Sequence, residues 1–145
     1  DLFGKAAVAN AKLAYRDFRS DFGGDRFLSL MGKGARVQRP LWASTSTKNA
    51  SYSDVLYAES LIGPDTVDTM TDATISAFLE HGEAAVTVDQ GVSESEDVIC
   101  ALEEAGINMG EVTDKLLSDG LKLFSDHFDK LMTDISHKMT AISSV

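Results

Sequence analysis

The chain has 145 residues, 43% of them hydrophobic, which is enough apolar material for one ordinary domain and too much for a disordered segment. Its 23 acidic against 13 basic side chains give a formal charge of −10, which repels phosphate backbones and anionic lipid and argues against nucleic-acid and membrane-surface functions. A single cysteine, Cys100, rules out an intramolecular disulfide framework and fits a reducing, cytoplasmic setting, and no CxxC or Cys/His cluster suggests a metal.

From Gly4 to about Ser20, small and apolar residues recur at Ala7, Ala11, Ala14 and Phe18, a spacing of four, three and four that predicts one face of a helix lying close to a sheet. Phe22-Gly23-Gly24 interrupts this pattern. Arg26 to Lys33 reads as a second short helix closed at Gly32 or Gly34. Val37 to Ala43 predicts a strand with a local irregularity, because Pro40 cannot donate to a sheet ladder.

Tyr52 to Ile62 follows as a short helix cut off by Gly63-Pro64, and Thr66 to Met70 as a brief β-branched strand. Thr71 to His81 predicts a helix capped by Thr71 or Asp72 and stopped at Gly82. This order of strand, helix, strand and helix is the grammar of parallel sheets. Ala84 to Val88 fits either a third strand or an extended connection.

Ser93 and Glu96 have the spacing of a capping box for a helix running through Val98, Ile99 and Leu102 to Gly106, and Asn108 with Glu111 signals one more start. Beyond it, apolar residues recur from Val112 through Leu116, Leu121, Phe124, Phe128, Leu131, Ile135 and Met139 to Ile142, with one step of five near Gly120 that predicts a break or kink. The Met and Phe stripe reads as core packing, and Cys100 as a small buried residue. The chain contains no internal repeat, no apolar run of the ~18 residues that span a bilayer, and no signal-peptide pattern at Asp1 to Ala7.

The segment with most chemistry is Arg39 to Asn49, RPLWASTSTKN. A short apolar strand there opens into four consecutive hydroxyls, Ser44, Thr45, Ser46 and Thr47, followed by the flexible point charge of Lys48. A loop at the C-terminal end of a parallel strand is where such folds handle substrates, and hydroxyls with one ammonium suit an anion. Taken by composition alone, the same residues also fit an ordinary polar turn. His81 beside Gly82 reads as a helix-end cation, and His127 and His137 as solvated. Lys5 and Lys12 read as helix-surface cations, and the acidic residues Glu94, Glu96, Asp97, Glu103 and Glu104 as exposed faces without a calcium loop.

Several separated segments in order, GKAAVANAKLAY at Gly4 to Tyr15, RPLWASTSTKN, YSDVLY at Tyr52 to Tyr57, PDTVDTM at Pro64 to Met70 and GLKLFSDHFDKLM at Gly120 to Met132, closely resemble the C-terminal part of transaldolases. Ala50 stands where the family often carries Pro, and Asp68 and Thr71 replace a common Asn and Pro, which bears on local turn geometry. The resemblance implies an α/β fold in which residues 1–145 form the C-terminal portion of a (β/α)8 TIM barrel, with two or three parallel strands, several helices and long C-terminal helices. It implies transfer of a dihydroxyacetone unit between sugar phosphates of the pentose phosphate pathway, through an imine on a lysine and with no metal or organic cofactor.

That lysine belongs to an Ile-Lys-Ile-Pro-Ala-Thr-like segment absent from this sequence, so no catalytic residue is assigned here. By the match, Ser44 and Lys48 are expected to bind the substrate phosphate, with Ser46 and Thr47 as further hydroxyl donors. Lys48 as the imine-forming residue is disfavoured, since its neighbours offer neither apolar burial nor a second cation. A barrel needs ~200 residues or more, so the chain is expected to lack an N-terminal barrel portion, to expose strand edges and to be inactive alone. Starting on Asp1, it reads as a truncated or processed product, and a fusion to glucose-6-phosphate isomerase is a further expectation from relatives. The competing readings are a stand-alone helical module that binds a partner helix through Asn108 to Ile142, and a sugar-phosphate-binding domain without catalysis.

Overall fold

The computed structural model describes residues 2–143, which divide into two compact units, Asp1–Glu104 and Ala105–Val145. In the first unit, α1 (Ala6–Gly23) forms from an Ala-rich run, and α2 (Asp25–Met31) follows directly after an extended Gly24. A ladder of rings carries packing across that junction: Tyr15 to Phe18 at 5.8 Å, Phe18 to Phe22 at 5.3 Å, and Phe22 edge-on to Phe27 at 4.7 Å between centroids.

The strands are shorter than the sequence predicts. β1 (Leu41–Trp42) pairs in parallel with β2 (Val67–Asp68), Leu41 opposite Val67 and Trp42 opposite Asp68. The Val67 amide donates to the Pro40 carbonyl and the Thr69 amide to the Trp42 carbonyl, both at 3.0 Å. Pro40 can accept from this ladder but not donate to it, so pairing on the upstream side stops there. Ala84 to Val88 is an extended connection and adds no third strand. Its end is nevertheless fixed, because the Thr87 and Val88 amides both donate to the Ile62 carbonyl.

Between the strands lies α3 (Leu56–Ser60), and after them come α4 (Asp72–His81) and α5 (Val92–Glu104). Thr71 caps α4, its hydroxyl accepting from the Thr74 amide at 3.3 Å. The capping box expected from Ser93 and Glu96 is not what starts α5. Gly91, at φ +65°, turns the chain before Ser93 is reached and offers its carbonyl to both the amide and the hydroxyl of Ser95. Ser93 therefore falls inside the first turn, and Glu96 reaches across to pair with Arg16 on α1.

The core gathers where α3 ends. Tyr15, Leu61 and Val88 are buried together, with Val8, Ala11, Phe18 and Trp42 packed around them. The small-residue face expected of α1 is thus only half used, since Ala7 and Ala14 are exposed while Ala9 and Tyr15 are buried. Four successive carbonyls at this helix end and turn are all satisfied from elsewhere. The Trp42 indole donates to Leu61 at 3.1 Å, the Thr87 and Val88 amides to Ile62, the Thr66 hydroxyl to Gly63 at 2.7 Å and the Tyr15 phenol to Pro64 at 3.0 Å. Gly63 fits because it has no side chain; a Cβ there would overlap the Val88 methyl.

The second unit holds one long helix, α6 (Met109–Ser143), continuous through Gly120, where a break or kink was expected. Asn108 opens it as predicted, its side-chain oxygen accepting from the Glu111 amide at 3.1 Å. Its apolar stripe is exposed rather than core: Phe124 at 82% and Ile142 at 77% are the extremes. A single helix has no second element within its own unit to bury a stripe against. Cys100 on α5 is likewise exposed, not buried.

Candidate functional site

The loop that leaves β1 turns sharply at Ser44, which adopts a left-handed backbone at φ +57°, unusual for a residue with a side chain. Ser44, Ser46 and Lys48 border a cleft of about 580 Å³ whose apolar side includes Ala11, Trp42 and Tyr57. Thr45 touches the cleft wall but is only 4% exposed, and spends its hydroxyl on the Asp68 carboxylate at 2.9 Å and the Thr69 carbonyl at 3.3 Å. Thr47 does not line the cleft, and its hydroxyl oxygen is buried without a hydrogen-bond partner.

Of the two other expected hydroxyl donors, Ser44 stands exposed at the rim, whereas Ser46 is engaged with the capping Thr71 at 3.1 Å and with the buried Thr74 at 2.9 Å. Its oxygen is still a rotatable donor and acceptor, so Ser46 ties the loop to the start of α4 while facing the cleft. Asn49 ends the loop by accepting from the Ser51 amide at 2.9 Å through its side chain and from the Tyr52 amide at 3.0 Å through its carbonyl. Lys48 is exposed and is the one charged residue among the described residues lining the cleft. In a chain of charge −10, a cleft whose lining charge is positive suits an anion.

Asp68 stands in the sequence only as a departure from a familiar pattern, Thr71 as such a departure and a candidate helix cap, and Thr45 as one hydroxyl among four. Elsewhere, His81 is not simply solvated: its Nε2 lies 2.9 Å from Asp54 Oδ1. That hydrogen bond raises the imidazole above its ordinary value and lowers the carboxylate below its own. Lys12 is half-buried rather than a plain surface cation; its ammonium donates to the Gln90 carbonyl at 2.8 Å, and burial lowers its pKa. His127, His137 and the five acidic residues are exposed, and among the described residues no group of His, Cys, Asp and Glu could hold a metal.

Short parallel strands joined through a helix, with a hydroxyl and ammonium loop at the carboxyl end of the first, make this a parallel α/β protein with an anion-suited cleft. The family model for transaldolase/fructose-6-phosphate aldolase matches residues 1–135, and the chain belongs to that family. It is similar to transaldolase 2 of Nostoc sp., 45% identical over 144 residues, covering 98% of this chain and 38% of the relative. A transaldolase of Neisseria meningitidis serogroup C is 42% identical over 134 residues, 92% of this chain and 38% of the relative. Transaldolase 1 of Streptomyces coelicolor is 39% identical over 139 residues, 95% of this chain and 36% of the relative. The chain therefore spans less than two fifths of the length of these relatives. No helix among the described residues is long and apolar enough to cross a membrane.

Proposed function

We propose that this chain supplies the phosphate-binding side of a transaldolase, as the C-terminal portion of a (β/α)8 barrel whose remaining strands carry the imine-forming lysine and the proton-moving carboxylates. The observation that supports it is the cleft below β1. Ser44 and Lys48 border the same space, and Lys48 is its lining charge. An ammonium and a free hydroxyl converging on one opening are the groups that hold the phosphate of a ketose or aldose phosphate. Ser46 contributes a third, shared hydroxyl, and Thr47 serves the loop's interior.

The reaction is transfer of a dihydroxyacetone unit through a Schiff base in the pentose phosphate pathway, with no cofactor, in the cytoplasm. Alone, the 145 residues bind the anionic end and perform no turnover. Titrating the chain with fructose 6-phosphate while following backbone amides tests the binding half. Shifts confined to residues 43–49 that disappear in Lys48→Gln support the reading; unchanged amides in that loop refute it. Adding fructose 6-phosphate and erythrose 4-phosphate tests the other half, and turnover by the isolated chain would overturn it.

One observation favours a second reading. The exposed stripe of α6 suits a module that binds a partner helix. Genomic sequence upstream decides between them: an in-frame extension carrying an Ile-Lys-Ile-like strand supports the enzyme, and a start codon directly before Asp1 supports the module.

A further inference from the structure

We propose that the hydrogen bond from Thr45 to Asp68 positions the anion cleft, anchoring the loop to β2 so that Ser44 keeps its left-handed backbone and Lys48 stays at the rim. This rests on the phosphate-binding reading of the cleft. The ladder between β1 and β2 is only two residues long and ends at Trp42 and Asp68, so by itself it leaves the following loop loosely held. Thr45 extends the connection past the ladder. Its side chain reaches back to the Asp68 carboxylate and the Thr69 carbonyl, and it does so from a buried position where an unpaired hydroxyl would be costly.

Ser44 sits between the end of the strand and this anchor. A residue with a Cβ at φ +57° persists only where its surroundings hold it, and the two fixed points on either side, the Trp42 pairing and the Thr45 bond, supply that constraint. The bond from Ser46 to Thr71 and Thr74 fixes the far side of the loop to α4. Thr45 itself is no ligand, since its donor is already engaged. Its effect on substrate runs through Ser44 and Lys48.

The test uses the complete gene product containing these 145 residues. Thr45→Val keeps the shape and removes the hydroxyl, and is expected to raise KM for fructose 6-phosphate roughly fivefold, the scale of one hydrogen bond. kcat, and transfer from unphosphorylated fructose to an unphosphorylated aldose, stay within about twofold. Thr45→Ser is expected to restore KM. If Thr45→Val does not fold, Asp68→Ala replaces it, since Thr69 still accepts from Thr45, and a smaller rise in KM is expected.

An unchanged KM in these variants, or an equal loss with phosphorylated and unphosphorylated donors, overturns the proposal. Lys48→Gln run alongside separates the two claims. If it raises KM while Thr45→Val does not, only the anchor fails; if it too leaves KM unchanged, the phosphate-binding reading fails with it.

Discussion

Two regions of this molecule reach helical structure by opposite routes. Around Tyr15, Leu61 and Val88, elements from distant parts of the chain bury one another, and backbone groups find partners dozens of residues away. Along α6, cohesion is local: Lys115 pairs with Asp119 at 2.8 Å, Lys122 with Asp126 at 2.7 Å, and Thr113, Thr133, Ser136 and Thr140 bond to carbonyls four residues back. Both ion pairs run Lys to Asp, the less favourable orientation against the helix dipole, and the hydroxyl back-bonds add little. α6 is held by contacts within its own turns, whereas the first unit depends on packing between distant segments.

The largest effect is expected at Gly63. Gly63→Ala forces a methyl into Val88, and is expected to cost about 3 kcal/mol in the first unit, near the upper end for overpacking. Chemical denaturation followed by Tyr and Trp signals measures it, and α6 amide exchange should not respond. Tyr15→Phe removes the donor to the Pro64 carbonyl together with a hydrogen-bond partner of Arg19, and a loss of about 1 kcal/mol is expected by the same measurement.

Phe124→Ser sharpens the other side. With the ring 82% exposed, the change should fall within about 0.5 kcal/mol for this chain. In the complete gene product the same change is expected to cost about 3 kcal/mol if other barrel residues cover the stripe, and differential scanning calorimetry on both proteins reads the contrast.

The smallest effect concerns the pair joining the end of α4 to the segment before α3. Because its hydrogen bond to Asp54 raises His81, that contribution is full below the ordinary imidazole value and fades as pH rises through the raised one. Asp54, lowered by the same bond, contributes above the ordinary carboxylate value and loses it as pH falls through the depressed one. The pair is therefore most effective between about pH 4 and 6.5. Glu59 and Glu80 also favour the charged imidazole. A Tm difference between parent and Asp54→Asn should be present at about pH 5.5 and small by about pH 8.5.

Most helices were legible because their stops and caps are chemical. Thr71 and Asn108 act through a side-chain oxygen that the sequence displays, and Gly82 through the missing Cβ, which would meet Phe78. Strand lengths were not legible, since a ladder depends on what lies beside it, and only two residues of each strand find a partner here. The stripe of α6 has the periodicity of a core helix, yet periodicity says which residues share a face and nothing about what meets that face. In the cleft, Lys48 stood out by type, and Ser44 only by the resemblance, since four hydroxyls stand in succession there. The inward turn of Thr45 and Thr47 required the direction of each side chain, and the importance of Asp68 required the register between two strands.

The turn from Leu61 to Pro64 also sets an order of events. Its carbonyls wait for groups from residues 15, 42, 66, 87 and 88, so when it emerges from the ribosome only the first two donors have already been made. About two dozen further residues must be translated before Val88 arrives to close the cluster, and until then the Ile62 carbonyl and the apolar side that Val88 covers stay open to solvent.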